Sequence, residues 1–308
     1  MRQSSSIPPS LAPSLPPALS GLRRDIESPA GRISLYSAGL QGAAGGLPPL
    51  LLVHSVNAAA SAAELVPLFD HYARQRPVYA LELPGFGFSE RSERPYTPRL
   101  MTDALHAALA VMKSDHGFED ADVLAVSLSA EFAVRAKNEA PHTIRRLALV
   151  SPTGFSRKKR RYGPVGGTLG LPWLYRLLTL DCWRQGVFNT LTRPNVIRYF
   201  LKRTWGSEHI DQPLWRYCCL TSRQPGAANA PLYFVSAYLF STDINQLYEK
   251  LDCPVWVSMA TRGDFTDYRG RNTVEGRTNW QFCAIEGGAL PFFEDLHGFT
   301  QKLDSHWD

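Results

Sequence analysis

The most restrictive feature of the sequence is the continuous apolar run in PPLLLVHS, Pro48 to Ser55. A strand with one face in water alternates apolar and polar side chains, whereas a strand covered on both faces is apolar throughout. The segment that follows repeats apolar residues at helical spacing, at Leu65, Leu68 and Phe69. A buried strand followed by an amphipathic helix is the repeating unit of an α/β protein with a mostly parallel sheet.

The same alternation of strands and helices indicates how the chain is organised. It covers residues 22–156 and returns over residues 251–308, which we assign to one α/β core. Residues 157–250 lack strand patterns and are rich in aromatic residues at helical spacing, so we expect a helical lid there. Residues 1–21 are rich in proline and serine and are expected to form a disordered leader rather than a secretory signal.

Composition excludes several classes of protein. The chain has 308 residues, of which 44% are hydrophobic and 20% charged, as in ordinary globular proteins. Its longest apolar runs are far shorter than the roughly 20 residues that cross a bilayer. Five cysteines without CxxC spacing favour reduced thiols and a cytoplasmic location, and no metal ion or other cofactor is expected.

Local charge and aromatic content suggest what the chain binds. The net charge of +5 matches the run Arg157 to Arg161, which is either a solvated loop or a surface that attracts an anionic substrate or an acidic membrane. No recognised module supports nucleic-acid binding. Four of the seven tryptophans lie in the predicted lid, and we expect Trp173 and Trp183 to contact a small lipophilic acyl or aromatic substrate.

Ser127 is the strongest candidate for a reactive side chain. It lies between a predicted strand and a predicted helix, and the residues two positions before and after it, Ala125 and Ser129, are small. Small flanking residues allow the sharp turn that presents a nucleophilic serine. A serine that caps the helix is the alternative interpretation of this segment alone.

Two further turns follow predicted strands. The turn after Val53 resembles a His-Gly turn that supplies half of an oxyanion hole, so we expect the backbone N–H groups of Val56 and Leu128 to hold a developing oxyanion, with Asn57 as an additional side-chain donor. Asp264 follows a late strand, where a carboxylate orients a catalytic imidazole, although a helix-capping role is equally compatible with the sequence and Asp267 is a weaker rival.

From about residue 25 to the end, the sequence resembles the α/β-hydrolase superfamily. Besides the turn at Ser127, the segment from Glu82 to Glu90, ELPGFGFSE, is similar to the D-x-P-G-x-G-x-S loop of that family, with Glu82 in place of the aspartate. The resemblance implies an eight-stranded, mostly parallel sheet with a lid, in which Ser127 is the nucleophile, Asp264 the acid, and Val56 and Leu128 the oxyanion donors.

One position departs from the resemblance. The terminal segment GGALPFFED matches the family pattern G-H-L-P-F-x-E except that Ala289 replaces the catalytic histidine. Alanine accepts no proton, so His54 and His209 are candidates for a replacement base. Asn57 and Ser129 are candidates for substrate binding.

Three hypotheses follow. The chain is a serine hydrolase of a lipophilic ester or thioester with a degenerate triad, a lyase, cyclase or isomerase that uses the oxyanion site, or a small-ligand-binding protein without catalysis.

Overall fold

Apolar strands assemble into one sheet in the computed structural model, which describes residues 13–39, 47–157 and 160–307. Over these residues the sheet has eight strands in the order β1-β2-β4-β3-β5-β6-β7-β8. They are β1 (Leu22–Ser28), β2 (Gly31–Ala38), β3 (Leu50–Val53), β4 (Val78–Glu82), β5 (Ala121–Val126), β6 (Ile144–Val150), β7 (Val255–Ala260) and β8 (Trp280–Ile285). Strand β2 pairs antiparallel with β1 and β4, and the pairings from β4 through to β8 are parallel. The prediction of a mostly parallel, eight-stranded sheet is confirmed.

Helices cover both faces of this sheet. They are α1 (Val66–Tyr72), α2 (Pro98–His116), α3 (Ser129–Glu139), α4 (Pro172–Leu178), α5 (Arg184–Leu191), α6 (Pro194–Trp205), α7 (Gln212–Thr221), α8 (Asn229–Val235), α9 (Ile244–Lys250) and α10 (Leu296–Trp307). Within the described ranges, none of them combines the length and the apolar character needed to span a membrane.

The central strand β3 shows why its sequence is apolar throughout. Leu51 and Val53 belong to the core that also contains residues of α2 and α3, whereas Leu50 and Leu52 belong to the core shared with α1 and α10. All four side chains are fully buried. Burial of one such side chain contributes on the order of 1.5–3 kcal/mol, so both faces of the strand stabilise the sheet.

Two buried ion pairs join the segment between β6 and β7 to helix α3. Arg161 lies 2.6 Å from Glu131, and Arg135 lies 2.6 Å from Asp243. The segment carries helices α4 to α9 where the sequence predicted a helical lid. Its last helix, α9, packs against α3, and Tyr248 of that helix belongs to the core cluster that also contains residues of the sheet.

The predicted leader has defined contacts over part of its length. Ala18 donates a 3.0 Å hydrogen bond to the Tyr36 hydroxyl, and the hydroxyl of Tyr217 in α7 donates a 2.8 Å bond to the carbonyl of Pro16. Leu19 is buried. Part of the predicted leader thus contacts β2 and α7, while residues 1–12 lie outside the described part of the chain.

Candidate functional site

Ser127 occupies the sharp turn between β5 and α3. Its φ angle is +56°, in the left-handed region, which costs a residue with a side chain roughly 1–2 kcal/mol. The Ser127 amide donates a 2.8 Å hydrogen bond to the carbonyl oxygen of Val150, at the end of the neighbouring strand β6. Ala125 and Ser129 are fully buried, while Ser127 itself is only partly buried. The small flanking residues thus accompany a strained turn that leaves the serine accessible.

The register of the sheet brings the loop after β3 next to this turn. Strands β3 and β5 are parallel, and Val53 pairs with Ala125. Val56 and Leu128 each lie three residues beyond these paired positions, and both side chains are buried. Neither of their backbone amides donates a hydrogen bond to another described residue. Two amides without an acceptor in the protein are suited to bind a negatively charged oxygen.

Glu64 fixes the loop that carries Val56. One carboxylate oxygen accepts a 2.9 Å hydrogen bond from the Ser55 amide, and the other accepts a 2.8 Å bond from the Asn57 side-chain amide. Burial raises the pKa of Glu64, and the hydrogen bonds from Ser55 and Asn57 oppose that rise. Sequence reasoning missed this residue, although a lone carboxylate in the apolar segment Ala62–Leu65, close to a polar loop, was a usable signal.

Two residues predicted to bind substrate hold this loop instead. The side-chain oxygen of Asn57 accepts a 2.8 Å hydrogen bond from the amide of Ala59, while its nitrogen is bound to Glu64. The fully buried hydroxyl of Ser129 donates a 2.5 Å bond to the carbonyl oxygen of His54. These polar groups therefore have protein partners that connect the loop and the turn.

His54 does not have the properties of a replacement base. Its Nε2 atom accepts a 3.1 Å hydrogen bond from the Leu83 amide, so Nδ1 donates the 2.6 Å bond to the Ser55 carbonyl oxygen. The side chain is fully buried, and this burial lowers the pKa of His54 to about 4. Both ring nitrogens are occupied by backbone groups, which argues against proton transfer from Ser127 to His54.

Three lid residues predicted to act at the site lie on the surface. His209 is exposed on the turn between α6 and α7, and no contact joins its ring to Ser127. Trp173 is 64% exposed and Trp183 is 44% exposed, with the Trp183 indole nitrogen donating a 2.7 Å bond to the Leu177 carbonyl. Helix α4 carries two aromatic side chains: Trp173 stays at the surface, whereas Tyr175 packs against Tyr233 and Tyr238.

Asp264 follows β7, as predicted, but its carboxylate faces a guanidinium group. Its two oxygens lie 2.5 Å from Nε and 2.8 Å from Nη2 of Arg203 in helix α6. The side chain is 42% exposed, whereas an acid that orients a catalytic imidazole is buried. Asp267, the rival, bonds instead to Arg269 and Ser156.

The turn that carries Ala289 also packs against α6. The Ala289 amide donates a 2.8 Å hydrogen bond to the Thr204 carbonyl oxygen, and Ala289 is buried. A Cβ atom on Gly288 would lie 2.4 Å from the Cα atom of Trp205, so only glycine fits there. The last turn of α6 therefore contacts both the position predicted for the acid and the position where the base is missing.

Metal chemistry has no candidate ligands in the described ranges. No group of three or more His, Cys, Asp or Glu side chains in residues 13–39, 47–157 and 160–307 could hold a metal ion. All five cysteines, which lie inside these ranges, are free thiols.

Comparison with known proteins identifies the architecture. No protein-family model matches the sequence, and a search of curated proteins found no match. Solved structures do match. A probable hydrolytic enzyme from Pseudomonas aeruginosa PAO1 has a TM-score of 0.71 at 17% identity, with 96% of each chain covered.

Two further enzymes share the arrangement. A serine hydrolase involved in carbazole degradation has a TM-score of 0.69 at 13% identity, covering 93% of this chain and 98% of its own. A carboxylesterase from Bacillus subtilis has a TM-score of 0.65 at 17% identity, covering 93% of this chain and 91% of its own. The chain therefore has the α/β-hydrolase fold.

Proposed function

We propose that the chain is a slow hydrolase of a small lipophilic ester or thioester, in which Ser127 attacks the acyl carbon. The observation that carries the proposal is the strained, partly exposed Ser127 beside the unbonded amides of Val56 and Leu128. The structural neighbours named above as hydrolytic enzymes support the same reaction class.

In this mechanism the oxyanion donors are present, whereas the general base is missing. As the Ser127 oxygen bonds to the acyl carbon, the carbonyl oxygen becomes negative and receives the amides of Val56 and Leu128. The hydroxyl proton passes to solvent, because Ala289 accepts none and both ring nitrogens of His54 are occupied. When the carbonyl re-forms, the bond to the alcohol or thiol breaks and that leaving group takes a proton from solvent. Water then attacks the acyl-enzyme in the same way and releases the acid and Ser127. In a serine protease, loss of the triad lowers kcat by on the order of 10⁶-fold, yet roughly 10³–10⁴-fold acceleration over water persists. We expect turnover in that residual range.

The apolar surroundings support a lipophilic substrate. Val56 and Leu128 belong to the same core cluster, and three lid aromatics, Tyr233, Phe234 and Phe240, are partly buried against that cluster. Small-molecule sites are mostly apolar with a few directed polar groups. The two amides supply the polar groups in this arrangement.

Covalent labelling with a fluorophosphonate probe tests the proposal. Its phosphorus reacts slowly with a serine hydroxyl when the developing oxyanion is stabilised, so after prolonged incubation we expect a single adduct on the peptide that contains Ser127 and none in Ser127→Ala. Ser151→Ala is the matched control, because Ser151 also has a positive φ, of +48°, at the end of the neighbouring strand, but is buried. Absence of any adduct, or equal loss in both variants, contradicts a reactive Ser127.

A ligand-binding protein without turnover is the second candidate, and the contacts of α6 favour it. Arg203 holds the carboxylate of Asp264, and the Thr204 carbonyl holds the Ala289 turn. Ala289→His combined with Arg203→Gln supplies an imidazole and releases the carboxylate. A large gain in esterase rate over Ala289→His alone supports a hydrolase site with a missing base. No gain, together with thermal stabilisation by an uncleaved ester analogue, supports the binding protein.

A further inference from the structure

Four arginines from two distant segments line one surface cleft. Two of them come from the beginning of the lid and two from the loop after β7. The cleft has a volume of about 520 Å³ and is lined by Arg157, Arg160, Arg269, Arg271, Asn272 and Glu275. Its lining residues come from the two chain segments that follow β6 and β7.

Hydrogen bonds hold the two walls of the cleft together. The amide of Gly270 donates a 2.6 Å bond to the carbonyl oxygen of Phe155, and a Cβ atom at Gly270 would lie only 2.6 Å from that oxygen. The guanidinium group of Arg160 donates a 2.7 Å bond to the side-chain oxygen of Asn272, across the cleft. The positions of the arginines are therefore set by the fold on both sides.

Acidic residues neutralise only part of the charge. Arg269 pairs with Asp267 and Arg271 pairs with Glu275, at 2.8 Å in each case. The two arginines of the lid segment have no carboxylate within ion-pair distance among the described residues. The lining thus retains two positive charges, and Lys158 and Lys159, which belong to the same basic run, lie outside the described residues.

The lining chemistry selects the ligand class. A guanidinium group presents a planar fork of N–H donors that matches the oxygens of phosphate, and several such groups together favour multiply charged anions. The lining contains no aromatic side chain on which a nucleic-acid base could stack and no apolar side chain for an acyl chain. We propose that this cleft binds the phosphate groups of a small anion, such as diphosphate or a molecule that carries it.

Calorimetric titration with inorganic pyrophosphate tests the proposal without any need for turnover. We compare the wild-type chain with Arg157→Gln/Arg160→Gln, which removes both unpaired charges and breaks no ion pair. The control is Arg176→Gln/Arg216→Gln, which removes the same charge from exposed positions elsewhere on the lid.

We expect at least about 10-fold weaker binding for the cleft variant and little change, within roughly 3-fold, for the control. Equal weakening in both variants, or no binding of pyrophosphate to the wild-type chain, overturns the proposal. Parallel sedimentation with phosphatidylserine vesicles separates the sources of phosphate, because vesicle binding without pyrophosphate binding replaces a small anion with a membrane surface. A Ser127→Ala chain should bind pyrophosphate normally, so this test is independent of the hydrolase proposal.

Discussion

Ser127→Gly is expected to stabilise the folded protein although it removes the candidate nucleophile. The strain at Ser127 is backbone strain, since φ is +56°, and an L-residue in this region loses roughly 1–2 kcal/mol relative to glycine. Glycine also makes the unfolded chain more flexible, which offsets about 0.4–1 kcal/mol of that gain. The midpoints of these two ranges give a net difference between Ser127→Gly and Ser127→Ala of about 0.8 kcal/mol in favour of glycine.

Urea unfolding at constant pH measures this difference, and the alanine variant removes the contribution of the hydroxyl. Ala237→Gly is a positive control, because Ala237 has a φ of +65° and should also gain stability. Ala140→Gly is the opposite control, since the φ of Ala140 is −131° and glycine there should lose about 0.4–1 kcal/mol. If Ser127→Gly is no more stable than Ser127→Ala while the controls behave as expected, the turn is not strained and the reasoning is wrong.

Three other perturbations have defined outcomes. Glu64→Ala should slow fluorophosphonate labelling of Ser127 by roughly 10²-fold while circular dichroism stays unchanged, because the loop amide loses its anchor. Asp243→Ala should lower the free energy of unfolding, measured by urea titration, by about 3–5 kcal/mol, because it leaves a buried arginine unpaired. Asp252→Ala should change it by less than about 1 kcal/mol, because the carboxylate of that ion pair is 76% exposed. Burial raises the pKa of Glu82 from 4.5 to about 7, so the folded chain retains a proton that the unfolded chain releases, and stability is lost as pH rises through this window. Relative to the wild-type chain, Glu82→Gln should therefore gain about 3 kcal/mol between about pH 4.5 and pH 7.5 in urea unfolding.

Controls make each of these outcomes decisive. Equal labelling rates in Glu64→Ala and the wild-type chain show that the carboxylate does not position the loop. Equal losses at Asp243 and Asp252 show that burial does not strengthen the ion pair. A constant difference between Glu82→Gln and the wild-type chain across the pH range shows that Glu82 has an ordinary pKa.

Local sequence patterns predicted the parts of the molecule that depend on near neighbours. The apolar run in Pro48–Ser55 predicted a strand buried on both faces, and the strand observed there is Leu50–Val53. This prediction required only the period of the side chains. The small residues around Ser127 indicated a sharp turn, and the turn is present with positive φ. Both inferences depend on residues within a few positions of one another.

The rest depends on contacts between distant residues, which periodicity does not encode. Arg203 reaches Asp264 across 61 positions and turns a predicted catalytic acid into half of a surface ion pair. Trp173 was expected in a cleft because it is large and apolar, yet helix α4 packs through Tyr175 and Leu178 and leaves Trp173 exposed. Pro16 was expected to be disordered on composition alone, but the hydroxyl of Tyr217 holds its carbonyl.

The central claim is that Ser127 faces the amides of Val56 and Leu128, and a crystal structure of the phosphonylated chain tests it most directly. We predict a covalent bond from phosphorus to the Ser127 oxygen, with the phosphoryl oxygen roughly 2.7–3.1 Å from both amide nitrogens. A phosphoryl oxygen that points into solvent, or an adduct on any other side chain, contradicts the account.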